Sequence, residues 1–166
     1  MQKLEFTQNK KMYNRYYSWE QLNVLIKKLS NSIKKSKFKP QSILCIGKGG
    51  LIPAYFLAKR LDLPVDIENI SSYIGDAKSG DGIVHVAPYE NKSYSDKQKK
   101  NILILDDIHD SGDTLDFLTK VHFPEAKTAC LITKGEKKAK PNFVSEKVAV
   151  NTWVVFPWEK LLKDIK

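Results

Sequence analysis

The apolar residues between positions 18 and 35 recur at the spacing of an amphipathic helix. They lie three or four residues apart, which places them on one helical face: Leu22, Leu25, Ile26, Leu29 and Ile33. Ser18 and Gln21 have the spacing of a capping box, in which each side chain bonds the backbone N–H of the other residue. The pattern predicts a helix from Ser18 to about Lys35, whereas the polar residues 1–16 are expected to fray.

Short apolar runs follow this helix, and they are typical of buried strands. The predicted strands are Ser42–Ile46, Val65–Ser72, Ile102–Leu105, Thr128–Thr133, Val148–Val150 and Trp153–Phe156, with a further candidate at Ile83–Ala87. The predicted helices are Leu51–Leu61, about Thr114–Val121, and a short one from near Trp158. Because strands and helices alternate, the sequence predicts a single α/β domain over residues 1–166 with a mostly parallel central sheet.

The size and composition of the chain exclude several classes of protein. Its 166 residues fit one domain, and 42% hydrophobic residues are too many for a disordered chain. No apolar run reaches the roughly 18 residues of a membrane span. The first residues lack the apolar core of a signal peptide, so a cytoplasmic location is expected. Cys45 and Cys130 lie in apolar runs, which predicts buried free thiols and excludes a disulfide framework.

The charge balance is strongly basic, with 28 Lys and Arg against 19 Asp and Glu, a net charge of +9. Such a balance favours anionic partners: phosphorylated small molecules, nucleic acid or an anionic membrane surface. The lysines are dispersed in small groups, and no nucleic-acid-binding motif accompanies them. Nucleic acid is therefore not expected as a partner, and a lysine-rich solvated surface explains the charge as well.

The segment with the most chemistry is Ile102–Thr114, ILILDDIHDSGDT. Its apolar residues place Asp106 and Asp107 at the carboxyl end of a buried strand, the edge of an α/β sheet where ligands bind. Asp110–Thr114 then combines a glycine and two hydroxyls at a helix start, which is the design of a phosphate-binding loop. Two carboxylates beside such a loop suit Mg²⁺. A Walker-type nucleotide site is excluded because no GxxxxGK[ST] loop is present.

This segment resembles the phosphoribosyl-pyrophosphate (PRPP) binding motif of the type I phosphoribosyltransferases. In that motif an apolar strand and two acidic residues precede Asp/Thr-Ser/Thr-Gly-x-Thr. The resemblance runs from about Tyr17 to about Leu162, and Asp106-Asp107 favours the bacterial xanthine–guanine (hypoxanthine) type, since the hypoxanthine–guanine type usually has Glu-Asp there. It implies the type I phosphoribosyltransferase fold with a small C-terminal base-recognition region, and a homo-oligomer, either dimer or tetramer.

The loop Gly47–Gly50, between a predicted strand and a predicted helix, resembles the pyrophosphate-binding loop of the family. The resemblance implies substrate contacts from Lys48, Gly49 and Gly50, and a cis peptide bond between Gly47 and Lys48. Glycine lets the backbone approach an anion closely. Lys48 supplies a cation where the family often has Arg, so the charge is kept and the bidentate fork is lost.

Ser72 and Tyr73 resemble the Ser-Tyr dipeptide that opens the mobile hood of the purine-type enzymes, and they are implied to bind substrate. The polar stretch 74–100 would then be the hood loop that closes over PRPP and excludes water. From the residues alone, the alternative is a strand end followed by a disordered loop.

Asn151–Glu159 resembles the base-recognition segment of the xanthine–guanine enzymes. The resemblance implies that Trp153 stacks on the purine and that the backbone of Val154 reads the base edge. Lys134 matches the family lysine that donates to the purine 6-oxo group. It favours a 6-oxopurine over adenine, because on adenine it would face an amino donor. Without the resemblance, Trp153 is a core side chain and Lys134 a solvated one.

The implied reaction converts a purine and PRPP to the nucleoside 5′-monophosphate and pyrophosphate, with Mg²⁺ as cofactor. Asp106 and Asp107 are implied to hold the ribose hydroxyls and the metal shell, with Asp107 as the metal ligand. Asp110 is the hypothetical general base at purine N7. The implied ligands of the 5′-phosphate are Ser111, Gly112, Asp113 and Thr114.

Two residues of the phosphate loop depart from the simple pattern. An Asp113 carboxylate that pointed inward would repel phosphate, and one that pointed to solvent would be harmless. His109 is expected to face solvent. Two other functions also stay open: a non-catalytic PRPP-binding regulator, and a phosphoribosyltransferase with another base acceptor, for which Trp153 and Lys134 matter little.

Overall fold

The computed structural model describes residues 12–68, 95, 99–135 and 140–161, and the backbone of four two-residue strands between 70 and 86. The N-terminal elements are β1 (Tyr13–Tyr16), α1 (Trp19–Lys35), β2 (Ser42–Ile46), α2 (Gly47–Leu61) and β3 (Val65–Glu68). The short strands are β4 (Ile70–Ser71), β5 (Tyr73–Ile74), β6 (Ala77–Lys78) and β7 (His85–Val86). The C-terminal elements are β8 (Ile102–His109), α3 (Asp113–Phe117), a π-helical turn (Leu118–His122), β9 (Lys127–Lys134), β10 (Phe143–Val148), β11 (Thr152–Val155) and α4 (Pro157–Leu161).

Five strands form a parallel sheet in the order β10–β9–β8–β2–β3, with β8 at its centre. Along each strand the side chains alternate between two hydrophobic cores. Ile43, Leu103 and Leu105 pack with residues of α1 and α2 on one face. Leu44 and Ile104 pack with residues of α3 and the π-helical turn on the other. The arrangement confirms the predicted α/β fold with helices flanking a mostly parallel sheet.

Helix α1 follows the sequence pattern closely. The N–H of Gln21 donates to Ser18 Oγ at 3.2 Å, and the N–H of Ser18 donates to Gln21 Oε1 at 2.9 Å, so the capping box is complete. Every apolar residue of the predicted stripe is buried, and the helix ends where the N–H of Ser36 donates to the carbonyl of Ile33. Cys45 and Cys130 are buried free thiols, as predicted.

Three boundaries differ from the sequence prediction. Helix α2 begins at Gly47 rather than Leu51, because Gly47 adopts φ 45° and turns the chain directly from β2 into the helix. Strand β8 continues past Leu105 to His109, because it pairs with β9 from Leu103 to His109. The loop predicted at Ile108–Asp113 therefore begins only at Asp110.

The remaining differences are at strand and helix ends. Val148 ends β10 instead of opening a strand to Val150, since a turn follows in which the N–H of Thr152 donates to the carbonyl of Ala149. The helix predicted near Thr114–Val121 divides into α3 and the π-helical turn. The strand predicted at Val65–Ser72 is divided between β3 and β4.

The expectation that residues 1–16 fray is wrong for Tyr13–Tyr16. These residues form β1, which pairs in parallel with β11. All four side chains are exposed, so the strand has no hydrophobic pattern by which the sequence would reveal it. Arg15 bonds the Glu146 carboxylate on β10 and the Tyr17 hydroxyl, which fixes β1 to the neighbouring elements. Residues 1–11 lie outside the described part of the chain.

Replacing Ser18 by Ala is expected to lower the free energy of unfolding by about 1 kcal/mol, because the first turn of α1 loses its side-chain acceptor. The melting temperature should fall by about 2–4 °C for a chain of this size. Ser32→Ala, on the exposed face of the same helix, is the control and should leave the melting temperature within about 1 °C. Equal losses in the two variants would contradict the capping role.

Candidate active site

The central strand β8 places two adjacent carboxylates at its carboxyl end. Asp106 and Asp107 belong to the strand itself, and both side chains are partly exposed to a cleft. The N–H of Asp107 donates to Asp106 Oδ1 at 2.9 Å, and the N–H of Ile108 donates to Asp107 Oδ1 at 2.7 Å. These bonds use one oxygen of each carboxylate and hold both side chains against their own strand.

Burial raises the pKa of both carboxyl groups. For Asp106 the loss of water is the main cause and the charge of Asp107 adds to it, so that this pKa lies well above its usual value. Burial is also the largest cause at Asp107, where the N–H of Ile108 opposes the rise and the charge of Glu159 adds to it. The cleft therefore has an excess of negative charge that a bound cation would stabilise.

The loop after β8 turns at Gly112, which adopts φ 87° and forms the N-cap of α3. The carbonyl of Gly112 accepts the N–H of Asp116, so the loop leads directly into the helix. Ser111, Gly112 and Thr114 line the cleft, as the sequence predicts, but Asp113 is not among the lining residues.

Helix α2 begins on the opposite side of the acidic pair. A Cβ at Gly49 would lie 2.7 Å from Asp107 Oδ2, and one at Gly50 would lie 3.0 Å from the carbonyl oxygen of Leu105. The two glycines therefore let α2 approach β8 at a distance that a side chain would prevent. Lys48 is exposed beside them and does not line the cleft. All peptide bonds of the described residues are trans, so the expected cis bond between Gly47 and Lys48 is absent.

Side chains from three separate elements meet at the other end of the cleft. The Lys134 ammonium lies 3.1 Å from Asp110 Oδ2 and 5.8 Å from the ring centroid of Trp153. Only 8% of the Lys134 side chain is exposed, whereas Trp153 is 58% exposed. Val154 is buried and also lines the cleft. A flat aromatic surface, a buried cation and a backbone edge thus lie together at this end of the cleft.

Strand β1 pairs with β11, the strand that carries Trp153. Its residue Asn14 is the register partner of Trp153, and the N–H of Tyr17 donates to the carbonyl of Val155. The ring of Tyr17 packs on Phe156 at 5.6 Å, and Phe156 stacks on Trp158 at 4.5 Å. Backbone bonds and aromatic contacts thus fix the strand that carries Trp153.

The cleft has a volume of about 360 Å³. Its lining residues are Asp106, Asp107, Ile108, His109, Asp110, Ser111, Gly112, Thr114, Leu115, Lys134, Trp153, Val154 and Glu159. Ser72 lies outside the described residues, as do the side chain of Tyr73 and most of the predicted hood at 74–100.

At two residues that line the cleft, the structure differs from the sequence prediction or adds to it. His109 was expected to face solvent, but it is buried and its Nδ1 lies 3.0 Å from Thr133 Oγ1, because β8 extends to this residue. Glu159 had no assigned role. Its Oε2 accepts the N–H of Phe156 at 2.6 Å, which holds its carboxylate at the start of α4 beside the cleft. An acidic residue in the first turn of a helix that follows Trp153 was the available signal.

The acidic pair has the chemistry of a magnesium site completed by substrate. Its donors are carboxylate oxygens with an excess of negative charge, which suits a hard divalent cation. Within the described ranges, no group of three or more His, Cys, Asp or Glu side chains is arranged to hold a metal ion. Mg²⁺ usually binds one or two carboxylates together with water and phosphate oxygens, so the residues fit such an ion.

Comparison with known proteins gives a consistent result. The model of the phosphoribosyl transferase domain family matches residues 12–163. The xanthine-guanine phosphoribosyltransferase of Gluconobacter oxydans is 31% identical over 144 residues, which cover 86% of this chain and 82% of that protein. The corresponding protein of Desulfotalea psychrophila is 30% identical over 151 residues, 89% of this chain and 88% of that protein.

A solved structure shows the same architecture. The crystal structure of purine phosphoribosyltransferase from Pyrococcus horikoshii has a TM-score of 0.67 and 28% sequence identity, and the match covers 88% of this chain and 94% of that chain. Among the helices that the structure describes, none has both the length and the apolar character to cross a membrane.

The raised pKa of Asp106 predicts a pH-dependent effect of Asp106→Asn. A carboxyl group whose pKa is raised by folding stabilises the folded state below its unfolded pKa, and this stabilisation is lost as the pH rises through the folded pKa. At pH 7.5 the Asp106 carboxyl ionises less readily in the folded than in the unfolded state, which opposes folding, and the amide has no such cost. Without divalent cations, the melting temperature of the variant should exceed that of the parent, by about 2–4 °C for each kcal/mol that the substitution adds to the free energy of unfolding.

This advantage should shrink at pH 4.5, where the parent carboxyl is increasingly protonated in the folded state. Asp62→Asn, at an exposed position far from the acidic pair in the sequence, is the control and should show no such difference between the two pH values. A melting temperature of Asp106→Asn that lies below that of the parent at pH 7.5 would contradict the raised pKa.

Proposed function

Because the chain belongs to the phosphoribosyl transferase domain family, we propose that it is a purine-salvage phosphoribosyltransferase. It transfers the phosphoribosyl group of PRPP to a 6-oxopurine (guanine, xanthine or hypoxanthine) and releases pyrophosphate. The names of its relatives support this substrate class. The observation that carries the proposal is the position of the Lys134 ammonium, between the Asp110 carboxylate and the Trp153 ring in the wall of the cleft.

The purine binds at this end of the cleft. Its ring stacks on the exposed face of Trp153, and the backbone of Val154 bonds the base edge. Lys134 donates to the 6-oxo group, which an ammonium can do for a carbonyl and not for the amino group of adenine. Because Lys134 is nearly buried, the hydrogen bond forms with little competition from water, so it discriminates well between these groups.

The 5′-phosphate of PRPP binds at the loop Ser111–Thr114. Backbone N–H groups at the turn and the hydroxyls of Ser111 and Thr114 supply donors, and no carboxylate of the loop lines the cleft between Ser111 and Leu115. Asp106 and Asp107 hold the ribose hydroxyls, which lie between this phosphate and the purine. The loop and the acidic pair belong to one stretch of chain, so the two parts of the substrate are aligned by a single rigid strand end.

The pyrophosphate group binds near the start of α2, with backbone donors of Gly49 and Gly50 and the charge of Lys48. Asp107, with Asp106 beside it, would hold Mg²⁺, which would supply positive charge for the leaving pyrophosphate. Ser72 and Tyr73 belong to the same proposal as hood residues that contact PRPP. So do a cytoplasmic location and a homo-oligomeric state, both of which follow from the family resemblance.

The chain acts mainly by alignment and by stabilising charge. The bond from ribose C1′ to the pyrophosphate oxygen breaks while purine N9 bonds to C1′, and positive charge develops on the ribose. Asp110 accepts the proton from purine N7 as this bond forms. Its second oxygen is held by Lys134, which orients the carboxylate, so the same ion pair positions both the base and the general base.

Product formation from PRPP and Mg²⁺ with guanine, xanthine, hypoxanthine and adenine, each offered separately, tests the proposal. Turnover of 6-oxopurines and little turnover of adenine are expected. Binding of PRPP without turnover of any purine would favour a regulator or a different base acceptor instead. Lys134→Met should lower kcat/KM for the 6-oxopurines by about 10- to 100-fold, the loss of one charged hydrogen bond.

The control for this variant is Lys140→Met, which removes an exposed lysine outside the cleft and should leave kcat/KM unchanged. If Lys134→Met lowers kcat/KM for adenine by the same factor as for the 6-oxopurines, the lysine does not recognise the 6-oxo group. The proposal would then keep the transferase activity and lose its substrate specificity.

Asp110→Asn should lower kcat by about 10²–10⁴-fold with a smaller change in the KM for PRPP, because the amide cannot accept the N7 proton. Asp116→Asn is the matched control, because Asp116 lies in α3, six residues after Asp110, and does not line the cleft. Single-turnover measurements separate the chemical step from product release. Unchanged kcat in Asp110→Asn would remove Asp110 from the role of general base.

A further inference from the structure

A buried hydrogen bond between β8 and β9 lies next to the ion pair at the end of the cleft where we propose that the purine binds. His109 Nδ1 lies 3.0 Å from Thr133 Oγ1, and both residues are buried. Asp110 directly follows His109 in the chain. Lys134 directly follows Thr133, and its ammonium lies 3.1 Å from Asp110 Oδ2. The buried bond and the ion pair therefore join the same two strands at consecutive positions.

The strand register shows what the buried bond adds to the sheet. His109 and Thr133 are the final register pair of β8 and β9. Strand β8 ends at His109, so Asp110 is the first residue beyond the strand. Strand β9 extends one residue farther, to Lys134, which is the register partner of Val148 on β10. The sheet therefore fixes the backbone of Lys134, whereas the place of Asp110 depends on how the end of β8 is attached to β9.

The burial of the two side chains makes their bond effective. Water competes little with a buried hydrogen bond, and removal of one partner leaves a polar atom of the other without water to replace it. His109 lines the cleft, whereas Thr133 does not. The Thr133 hydroxyl therefore influences the cleft through its neighbours and not by touching what the cleft contains.

The ion pair needs accurate placement because its cation is nearly buried. A buried cation is stable only where its partner is well aligned, and the Asp110 side chain is far more exposed than that of Lys134. In an active site, a misplacement of 1 Å can lower the rate by about 10²-fold. A shift of Asp110 at the end of β8 would therefore disturb both members of the pair.

The other parts of the cleft have attachments of their own. The carbonyl of Gly112 accepts the N–H of Asp116, which joins the loop after β8 to α3. The carboxylates of Asp106 and Asp107 accept N–H groups of their own strand. Loss of the bond between His109 and Thr133 would leave these contacts in place.

We propose that Thr133 is a positioning residue for the purine, and that it acts through its bond to His109. The bond attaches the end of β8 to β9 and so sets the place of the Asp110 carboxylate against the Lys134 ammonium. The inference rests on the proposed function, in which Lys134 donates to the 6-oxo group and Asp110 accepts the N7 proton. Loss of the bond then weakens purine binding and leaves PRPP binding unchanged.

Thr133→Val tests this inference, because valine has nearly the same shape and lacks the hydroxyl. The KM for a 6-oxopurine should rise by about tenfold, as expected for one buried hydrogen bond, and the KM for PRPP should change by less than about twofold. Thr133→Ser keeps the hydroxyl and should restore the purine KM to within about threefold of the parent value. Equal changes in the two KM values would overturn the inference.

Thr128→Val is the matched control on the same strand. Thr128 is buried at the opposite end of β9, and its Oγ1 accepts the N–H of Asn142 at 3.2 Å. The substitution removes a bonded hydroxyl from β9, so it should lower the melting temperature as Thr133→Val does and leave both KM values unchanged. The same rise of the purine KM in both valine variants would indicate a general weakening of β9 and overturn the inference.

A double variant separates the bond from a direct action of His109. His109→Leu combined with Thr133→Val should raise the purine KM by no more than about twofold beyond Thr133→Val alone, since residues that act through one bond are not additive. A much larger rise would show that His109 acts on the purine independently of Thr133, and would overturn the inference.

Melting temperatures measured without substrate keep the inference separate from the proposed function. The loss caused by Thr133→Val should be smaller in the Lys134→Met background than in the parent, by about 1 °C or more, because the ion pair that the bond aligns is absent there. The loss caused by Thr128→Val should be the same in both backgrounds. Equal losses from Thr133→Val would overturn the inference. Failure of the proposed function would instead appear as a parent that turns over no 6-oxopurine, and the melting temperatures would then decide.

Discussion

Two adjacent carboxylates at the end of the central strand set the main constraint on this molecule. Asp106 and Asp107 lie side by side and are only partly exposed, and burial raises the pKa of both carboxyl groups. A side chain at position 49 would collide with the Asp107 carboxylate, so only glycine fits there. The loop that follows the acidic pair leads directly into a short helix. Placing two carboxyl groups side by side here raises the free energy of the folded protein, and the Mg²⁺ and substrate that we propose bind here would lower it.

The two halves of the cleft are assembled in different ways. The half proposed to bind phosphate and ribose comes from one continuous segment, Asp106–Thr114, which spans the end of β8 and the start of α3. The half proposed to bind the purine is built from Asp110, Lys134 and Trp153, which lie far apart in sequence. The ion pair between Lys134 and Asp110 joins the two halves, since one residue of each takes part in it.

The chemistry of the segment Asp106–Thr114 could be predicted from the sequence, because the strand, loop and helix that contain it are adjacent in the chain. The meeting of Lys134 with Trp153 followed only from the family resemblance, since neither residue has a local signal for a ligand. The length of β8 and the burial of His109 were missed because strand pairing, rather than local pattern, decides them. The side-chain role of Glu159 depends on a turn that no periodicity predicts.

Strand β1 completes a two-stranded sheet with β11, so almost the first and almost the last described residues of the chain lie side by side. During synthesis the central parallel sheet has most of its strands before β11 leaves the ribosome, whereas β1 must wait for its partner. The strand that carries Trp153, which we propose receives the purine, therefore pairs with β1 only after all strands of the central sheet have been synthesised. A chain shortened before β11 would keep the segment Asp106–Thr114 but lose Trp153.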